Sequence, residues 1–387
     1  MVDFDLTDEQ LGLRAMVREF VEREVAPRVI EYNREGKLPW DLVERAAELG
    51  LVGGVVPERY GGAGLDYVSW AITVEEIAKV CTGLAAAVGF PSSLAGTGLM
   101  HYGTEEQKQR LLRPLAEGKF LASTAITEPD CGSDAAALRT YAVREGDEYI
   151  LNGQKTWISN AVTAGWIMLF ARMKGTKGRE GITAFIVERG SPGLTVTPIH
   201  HKLCSRVVDT GEISLDNCHV PAANRLGEEG QGWEILNDSV DAGRIAVAAR
   251  SVGIAQACLE ASVAYANQRT TFGRPIARHQ LVQRMIAEMA LGVESARLLL
   301  WRACRERDKG VRDTRYHSSL AKLHASRVAM QAAHDAIQIH GAYGMYDEYH
   351  VERHFREAKM QEIVDGTSEI QTMIIAHHLL SGSNADR

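Results

Sequence analysis

Hydrophobic positions change their period twice along this chain. In residues 1–119, Leu11, Leu13, Val17, Phe20 and Val21 recur at roughly helical spacing before Pro27. Thr7 followed by Gln10 is a capping-box start for that helix, and Thr104 followed by Gln107 starts another reaching Leu115. Trp40 to Leu49 predicts a helix stopped by Gly50, and Val68 to Val80 a further one; the glycines of Pro57–Gly64 mark a loop. Between 120 and 230 the helical spacing gives way to short β-rich runs: Tyr149–Leu151, Thr156–Ile158, Trp166–Phe170, Thr183–Val187 and Leu194–Thr197. Turn-formers separate them at the spacing of an antiparallel barrel or sandwich. From Trp233 onward the pattern is helical again, punctuated by Gly310, Gly341, Gly344 and Gly366.

The expected fold is therefore multidomain: an N-terminal helical domain (1–119), a central antiparallel β-barrel or sandwich (120–230) and a C-terminal helical bundle (231–387). Segregated classes argue against a doubly wound nucleotide fold, and no G-x-G-x-x-G follows a strand. A length of 387 residues fits two or three domains, and 45% hydrophobic with 24% charged residues is a soluble globular profile. A net charge of -7 without a Lys/Arg block disfavours nucleic acid as a partner. Val80 to Met100 carries no charge, but its glycines, serines and Pro91 favour close helix packing or a substrate-lining turn over a membrane span. The start, Met1 to Asp5, lacks a signal-peptide layout, and Ser381 to Arg387 reads as a loose tail. Cys81, Cys131, Cys204, Cys218, Cys258 and Cys304 form no C-x-x-C pair and read as reduced, mostly buried thiols. The expectation is a cytoplasmic protein.

Three segments carry candidate chemistry. Asp365 lies in Ile363-Val364-Asp365-Gly366-Thr367-Ser368-Glu369-Ile370, a carboxylate on a Gly-containing turn just before a helix. Thr124 to Asp134 joins a strand to a turn rich in hydroxyls and backbone N–H groups, suited to a heterocycle edge or a phosphate, or simply to a capped turn. Asn152 to Asn160 reads as an Asn-Gly hairpin entering an aromatic strand, where Trp157 is either a stacking platform or a core residue. His350 and His354 have metal-compatible spacing but read as a solvated helix face, and no metal is expected. His200-His201 and His377-His378 read as surface pairs.

Taken together, Pro57–Gly64, Thr127-Glu128-Pro129 with Gly132-Ser133-Asp134, Asn152–Ser159, Arg269–Gly273 with Gln280, and Gly366–Ile370 resemble the acyl-CoA dehydrogenase family, in family order, from about residue 5 to 380. The resemblance implies a C-terminal four-helix bundle, a tetramer, and FAD between the β-domain and that bundle. Matched by motif, Ile126, Thr127 and Ser133 would lie near the flavin, with Ser133 also touching CoA, and Trp157 and Ser159 would flank the ring. Arg269, Phe272, Gln280 and the run Gln338, Ile339, His340, Gly341 and Ala342 would bind the adenine diphosphate part, some of it from a neighbouring subunit. Thr367 and Glu369 would close over the cofactor, while Asp241, Arg244, Val364 and Gly366 would line the thioester cleft. For Arg244 a plain helix salt bridge to Asp241 is the alternative.

In the family the residue at position 365 is the general base and is usually Glu. It takes the α-proton of an acyl-CoA while hydride leaves the β-carbon for the flavin, and a flavin hydroxyl and the base residue's own N–H polarise the carbonyl. A few members carry the base where this chain has Gly243, which concentrates the role on Asp365. Asp reaches about 1.5 Å less far than Glu, one C–C bond. With Val364 where an aromatic residue is common, the vacated volume beside the α-carbon suits an α-branched or alicyclic acyl-CoA, such as cyclohexane-1-carboxyl-CoA. The alternatives are a backbone shift that serves an ordinary short or branched chain, an oxygen-reactive acyl-CoA oxidase-like relative, and a non-enzymatic flavin- or CoA-binding module. Electron-transferring flavoprotein is the electron acceptor the resemblance implies.

Overall fold

The computed structural model describes residues 5–381; the opening residues 1–4 and all of the tail beyond Ser381 lie outside that range. Seven helices come first: α1 (Asp8–Phe20), α2 (Val29–Glu35), α3 (Trp40–Glu48), α4 (Tyr67–Val80), α5 (Thr82–Phe90), α6 (Gly96–Tyr102) and α7 (Glu105–Ala116). Both capping boxes form, with Thr7 and Thr104 each accepting from a backbone N–H three residues on while Gln10 and Gln107 reach back. A π-helical turn, Pro91–Ala95, joins α5 to α6. The uncharged segment thus becomes one helical run, Thr82–Tyr102, with 94% of its most apolar window buried inside the protein.

The strands are β1 (Leu121–Ala125), β2 (Tyr141–Glu145), β3 (Glu148–Ser159), β4 (Ala164–Met173), β5 (Ile182–Glu188), β6 (Leu194–Pro198), β7 (Thr210–Pro221) and β8 (Arg225–Leu226). They form one sheet in the order β6-β7-β3-β2-β4-β5-β8, with β1 added on β4. The expected barrel does not close: β6 and β8 are its two edges. Nor is the sheet wholly antiparallel, because β1 and β2 both run parallel to β4. Period-2 alternation buries both faces of β4. Trp166, Met168 and Phe170 pack on helices, whereas Ile167, Leu169 and Ala171 pack against other strands.

Tyr149–Leu151 and Thr156–Ile158 are one continuous strand, and Asn152-Gly153 is not a hairpin. The reversal comes at Gly146, and Gly153 is needed instead for close approach: a Cβ there would lie 2.5 Å from Thr140 Oγ1. The C-terminal part contains α8 (Gly232–Gln268), the small hairpin β9–β10 (Thr270–Thr271, Arg274–Pro275), α9 (Gln280–Asp308), α10 (Arg315–His340), α11 (Val351–Gln361) and α12 (Ser368–Leu380). α8 runs through the middle, buried on nearly every side by α4, α9, α10 and α11. All six cysteines are free thiols, five of them buried.

Candidate active site

Two clusters of candidate residues face a shared wall. The first lies at the end of β1 and the far half of β3. A bulge opposite β7 sets Lys155 against Ile213 and Ile158 against Gly211, so Thr156 and Trp157 together oppose Glu212. The bulge puts Trp157 at φ 59 and leaves it 60% exposed, which excludes the core reading of this residue. Fully buried Lys155 donates from Nζ to the carbonyl of Ile126 (2.9 Å) and to Glu128 Oε1 (2.8 Å). Glu128 also accepts from the N–H groups of Arg139 and Thr140, and the Thr156 N–H donates to Thr127 O at 2.9 Å. Burial pushes Glu128 upward, but the Lys155 charge and these donors hold it below the usual carboxylate range. The Ser123 hydroxyl donates to Ser159 O at 2.6 Å. Ile126, Thr127, Trp157 and Ser159 therefore share one edge, and Ser133 sits exposed in the turn that follows.

The second cluster surrounds Asp365. Thr367 caps α12 by accepting from the Ile370 N–H, and the turn before it holds Asp365 at φ 53 and Gly366 at φ 95. Asp is among the few non-Gly residues enriched in this left-handed region. Residue 365 as a whole is half-buried, yet its Oδ2 is sealed from solvent and has no hydrogen-bond partner. A Cβ added to Gly243 on α8 would sit 2.9 Å from that oxygen and 2.9 Å from Leu94 Cδ2. Burial raises the Asp365 pKa against the opposing charges of Arg250, Lys322 and Arg244. Arg244 pairs with Asp241 at 2.6 Å, as the salt-bridge alternative required, and also points Nε at the Asp365 carbonyl at 3.4 Å. Burial lifts Asp241 to about 6 despite its partner. Val364 and Gly366 flank Asp365 on the same turn, and Glu369 is exposed one residue into α12.

The wall between the clusters is the apolar run α5–π-turn–α6. Asn160 Nδ2 donates to Ala87 O at 3.3 Å on one side, while Leu94 meets Gly243 on the other. The π-turn itself packs against both α8 and β1.

A third group has different surroundings. Phe272 is 96% exposed at the tip of the β9–β10 hairpin, and Arg269 and Gln280 are exposed beside it. Arg269 lies over Tyr343 at 5.9 Å, near the α10 terminus that carries exposed Gln338, Gly341 and Ala342. Ile339 and His340 are buried there, His340 stacked on Tyr265 at 4.2 Å. His354 is buried rather than solvated, with Nδ1 sealed and unpartnered, because α11 turns that face onto the helical core. Among the described residues no cluster of three or more metal-type ligands forms. Sequence reasoning overlooked Lys322, Arg250, Gln371 and Leu94 around Asp365, and the Lys155–Glu128 pair beneath the first cluster.

The chain is thus a helical–β–helical protein with a sealed carboxylate across a helical wall from an exposed aromatic bulge. Family models for the acyl-CoA dehydrogenase N-terminal, middle and C-terminal domains match residues 7–119, 123–218 and 230–380. A probable acyl-CoA dehydrogenase from Bacillus subtilis (strain 168) is 44% identical over 382 residues, covering 98% of this chain and 100% of that one. Among solved structures, butyryl-CoA dehydrogenase from Megasphaera elsdenii matches with TM-score 0.95 at 38% identity, covering 98% of this chain and 100% of that one. A chain from the electron transferring flavoprotein study of Acidaminococcus fermentans matches with TM-score 0.95 at 40% identity and the same coverage. The chain belongs to the acyl-CoA dehydrogenase family. It is an acyl-CoA dehydrogenase, an FAD-dependent oxidoreductase.

Proposed function

We propose that this enzyme removes the α-proton of a compact acyl-CoA with Asp365, and that the acyl group is α-branched or alicyclic, with cyclohexane-1-carboxyl-CoA the specific candidate. The observation that carries the reading is the Asp365 carboxylate, with Oδ2 sealed, unpartnered and aimed at the side-chain-free Gly243. A carboxylate that accepts no hydrogen bond keeps its lone pair for a C–H proton, and burial brings its basicity closer to that task. The residues at the β1–β3 edge fit FAD: a bulge-exposed indole offers a ring face, and the partly exposed Thr127 and Ser159 on the same edge supply hydroxyls. Ile126, Thr127, Ser133, Trp157 and Ser159 would hold the flavin, and Thr367 and Glu369 would close over it. Bound there, FAD supplies the acceptor for the hydride that leaves the β-carbon.

Arg269, Phe272, Gln280 and residues 338–342 would hold the adenine diphosphate portion. Phe272 has almost no cover within its own chain, which supports an arrangement in which this hairpin serves a neighbouring subunit of a homotetramer. Arg suits a pyrophosphate through bidentate charge-assisted bonds. Ser133, Asp241, Arg244, Val364 and Gly366 would line the thioester cleft, with the Asp365 N–H polarising the substrate carbonyl. Electron-transferring flavoprotein is the acceptor we assign to the reduced enzyme, in line with the Acidaminococcus match.

The shorter base favours bulk at Cα. Bound in a straight-chain pose, a substrate would leave a gap of about 1.5 Å to be closed, where a 1 Å error costs roughly 100-fold in rate. A second reading, a short straight chain, is favoured by Leu94 closing against Gly243, which limits depth, and by the match to butyryl-CoA dehydrogenase. Anaerobic flavin bleaching with butyryl-, octanoyl-, 2-methylbutyryl- and cyclohexane-1-carboxyl-CoA separates the two. The alicyclic thioester should bleach fastest; equal or faster bleaching by butyryl-CoA overturns the alicyclic assignment. Reoxidation by air within seconds would instead move the enzyme to the oxygen-reactive branch.

A further inference from the structure

The base turn is held from three helices at once. Lys322 on α10 is fully buried and donates from Nζ to the carbonyl of Gly366 at 2.8 Å. Gln371 on α12, also fully buried, donates from Nε2 to the Asp365 carbonyl at 3.1 Å and to that of Gly366 at 2.9 Å. Arg244 on α8 also reaches the Asp365 carbonyl, from Nε at 3.4 Å. Side chains from α8, α10 and α12 thus converge on two consecutive carbonyls, in a turn whose two residues both have positive φ. Gly366 leaves room for this, since a Cβ there would lie 2.5 Å from Gln371 Nε2.

A buried ammonium is costly unless charge and hydrogen bonds compensate it. One carbonyl is not enough for Lys322, and the strongest anionic influence on it is Asp365. We propose that Lys322 is the positioning residue of the base: with Gln371 it pins the consecutive carbonyls of Asp365 and Gly366, and it keeps a positive charge within electrostatic reach of the carboxylate. The proposal rests on Asp365 being the base. Besides Asp365, the charged groups acting on Lys322 are Arg244 from α8, Glu362 from the base turn and Glu369 from α12; burial brings the ammonium itself down to about 8. The cations acting on Asp365 are Arg250 first, then Lys322 and Arg244, so Arg250 and Arg244 stay in place when Lys322 is replaced. That value keeps it mostly protonated at neutral pH, so its charge is in place when Asp365 works.

The test is anaerobic single-turnover bleaching of the FAD-loaded Lys322→Met variant from pH 5.5 to 9, with butyryl-CoA and cyclohexane-1-carboxyl-CoA as probes. The better probe should bleach about 30-fold more slowly than with wild type, because a turn freed by a few tenths of an ångström to 1 Å loses that much. Its dissociation constant should change less than the rate, staying within about 3-fold, because Lys322 itself makes none of the proposed thioester contacts. The acid limb of the rate should move to higher pH, since loss of a neighbouring cation disfavours the carboxylate. A purely structural Lys322 would not move that limb. Gln371→Met removes donors without removing charge, so it should slow bleaching while leaving the acid limb in place. Lys322→Met with an unchanged rate and acid limb overturns the proposal. If Lys322→Met fails to retain FAD, an unchanged rate in Gln371→Met overturns it instead. Asp365→Asn run alongside separates the two levels: bleaching at the wild-type rate there would remove the base assignment itself.

Discussion

The position of Gly243 makes the carboxylate we propose as base movable. Asp365→Ala deletes the base and should cost about 10²–10⁴-fold in bleaching rate, the usual weight of a general base. Adding Gly243→Glu to that variant brings a carboxylate from α8 instead. The Cβ built at position 243 lies 2.9 Å from the present Asp365 Oδ2, and a Glu carboxylate oxygen reaches about 3–3.6 Å from its own Cβ. One oxygen can therefore come within roughly 0.5 Å of the vacated place, an error worth about 10-fold at 100-fold per ångström. The double variant should bleach at least about tenfold faster than Asp365→Ala and remain roughly 10-fold slower than wild type. Stability changes little, because replacing an interior helical Gly gains up to about 1 kcal/mol, while crowding Leu94 Cδ2, also 2.9 Å away, costs about 1–3 kcal/mol. Gly243→Glu alone, with Asp365 intact, places two carboxylates in one sealed space and should be slow near neutral pH, because one of them stays protonated. The assay is anaerobic stopped-flow bleaching with butyryl-CoA and cyclohexane-1-carboxyl-CoA, with thermal unfolding as control. A double variant that binds FAD, unfolds within a few degrees of wild type and bleaches no faster than Asp365→Ala refutes the geometry.

Two further outcomes follow from buried charge. Lys155→Met strands Glu128 in the interior and should cost about 3–5 kcal/mol by urea unfolding, whereas the Lys155→Met/Glu128→Gln pair should recover most of it; a loss below about 1 kcal/mol in the single variant would show the pair to be unimportant. Burial raises the Asp365 pKa in the folded state, so its anion destabilises the fold. The proton-linked stability is present below the ordinary carboxylate pKa of about 3.9 and is lost as pH rises through the raised folded value. Asp365→Asn should therefore unfold at a higher temperature than wild type at pH 7.5, with the gap shrinking toward pH 4; a variant less stable than wild type at pH 7.5 would contradict this sign.

What the chain discloses locally it discloses well. Thr7 with Gln10 and Thr104 with Gln107 act over three residues, and both capping boxes form as read. Asn152-Gly153 misled because a strong turn dipeptide was serving a different need, room for Thr140 across the sheet. The spacing of His350 and His354 identified a helix but not which side of it faces the core. Trp157 could be named as a platform or a core residue, and only the bulge decided between them. Asp365 and Arg244 could be picked out as candidates through their motifs. Lys322 and Arg250 were not, because Lys and Arg are rarely buried and nothing in the flanking residues announces it; small neighbours such as Ser318, Ser319 and Ala321 were the one available hint.

The apolar run Thr82–Tyr102 has a consequence for how the chain is made. Its cover comes from Val207, which meets Gly83, and from Met168 and Ser239, which meet Gly98. At about 5–20 residues per second, the roughly 140 residues separating Gly98 from Ser239 take a ribosome on the order of 7–28 s to add. For that interval an uncharged helical stretch, long and apolar enough to cross a membrane, is synthesised but not yet enclosed. The wall between the two residue clusters of the finished enzyme is thus, in the nascent chain, an apolar helix whose cover from α8 is still to be made.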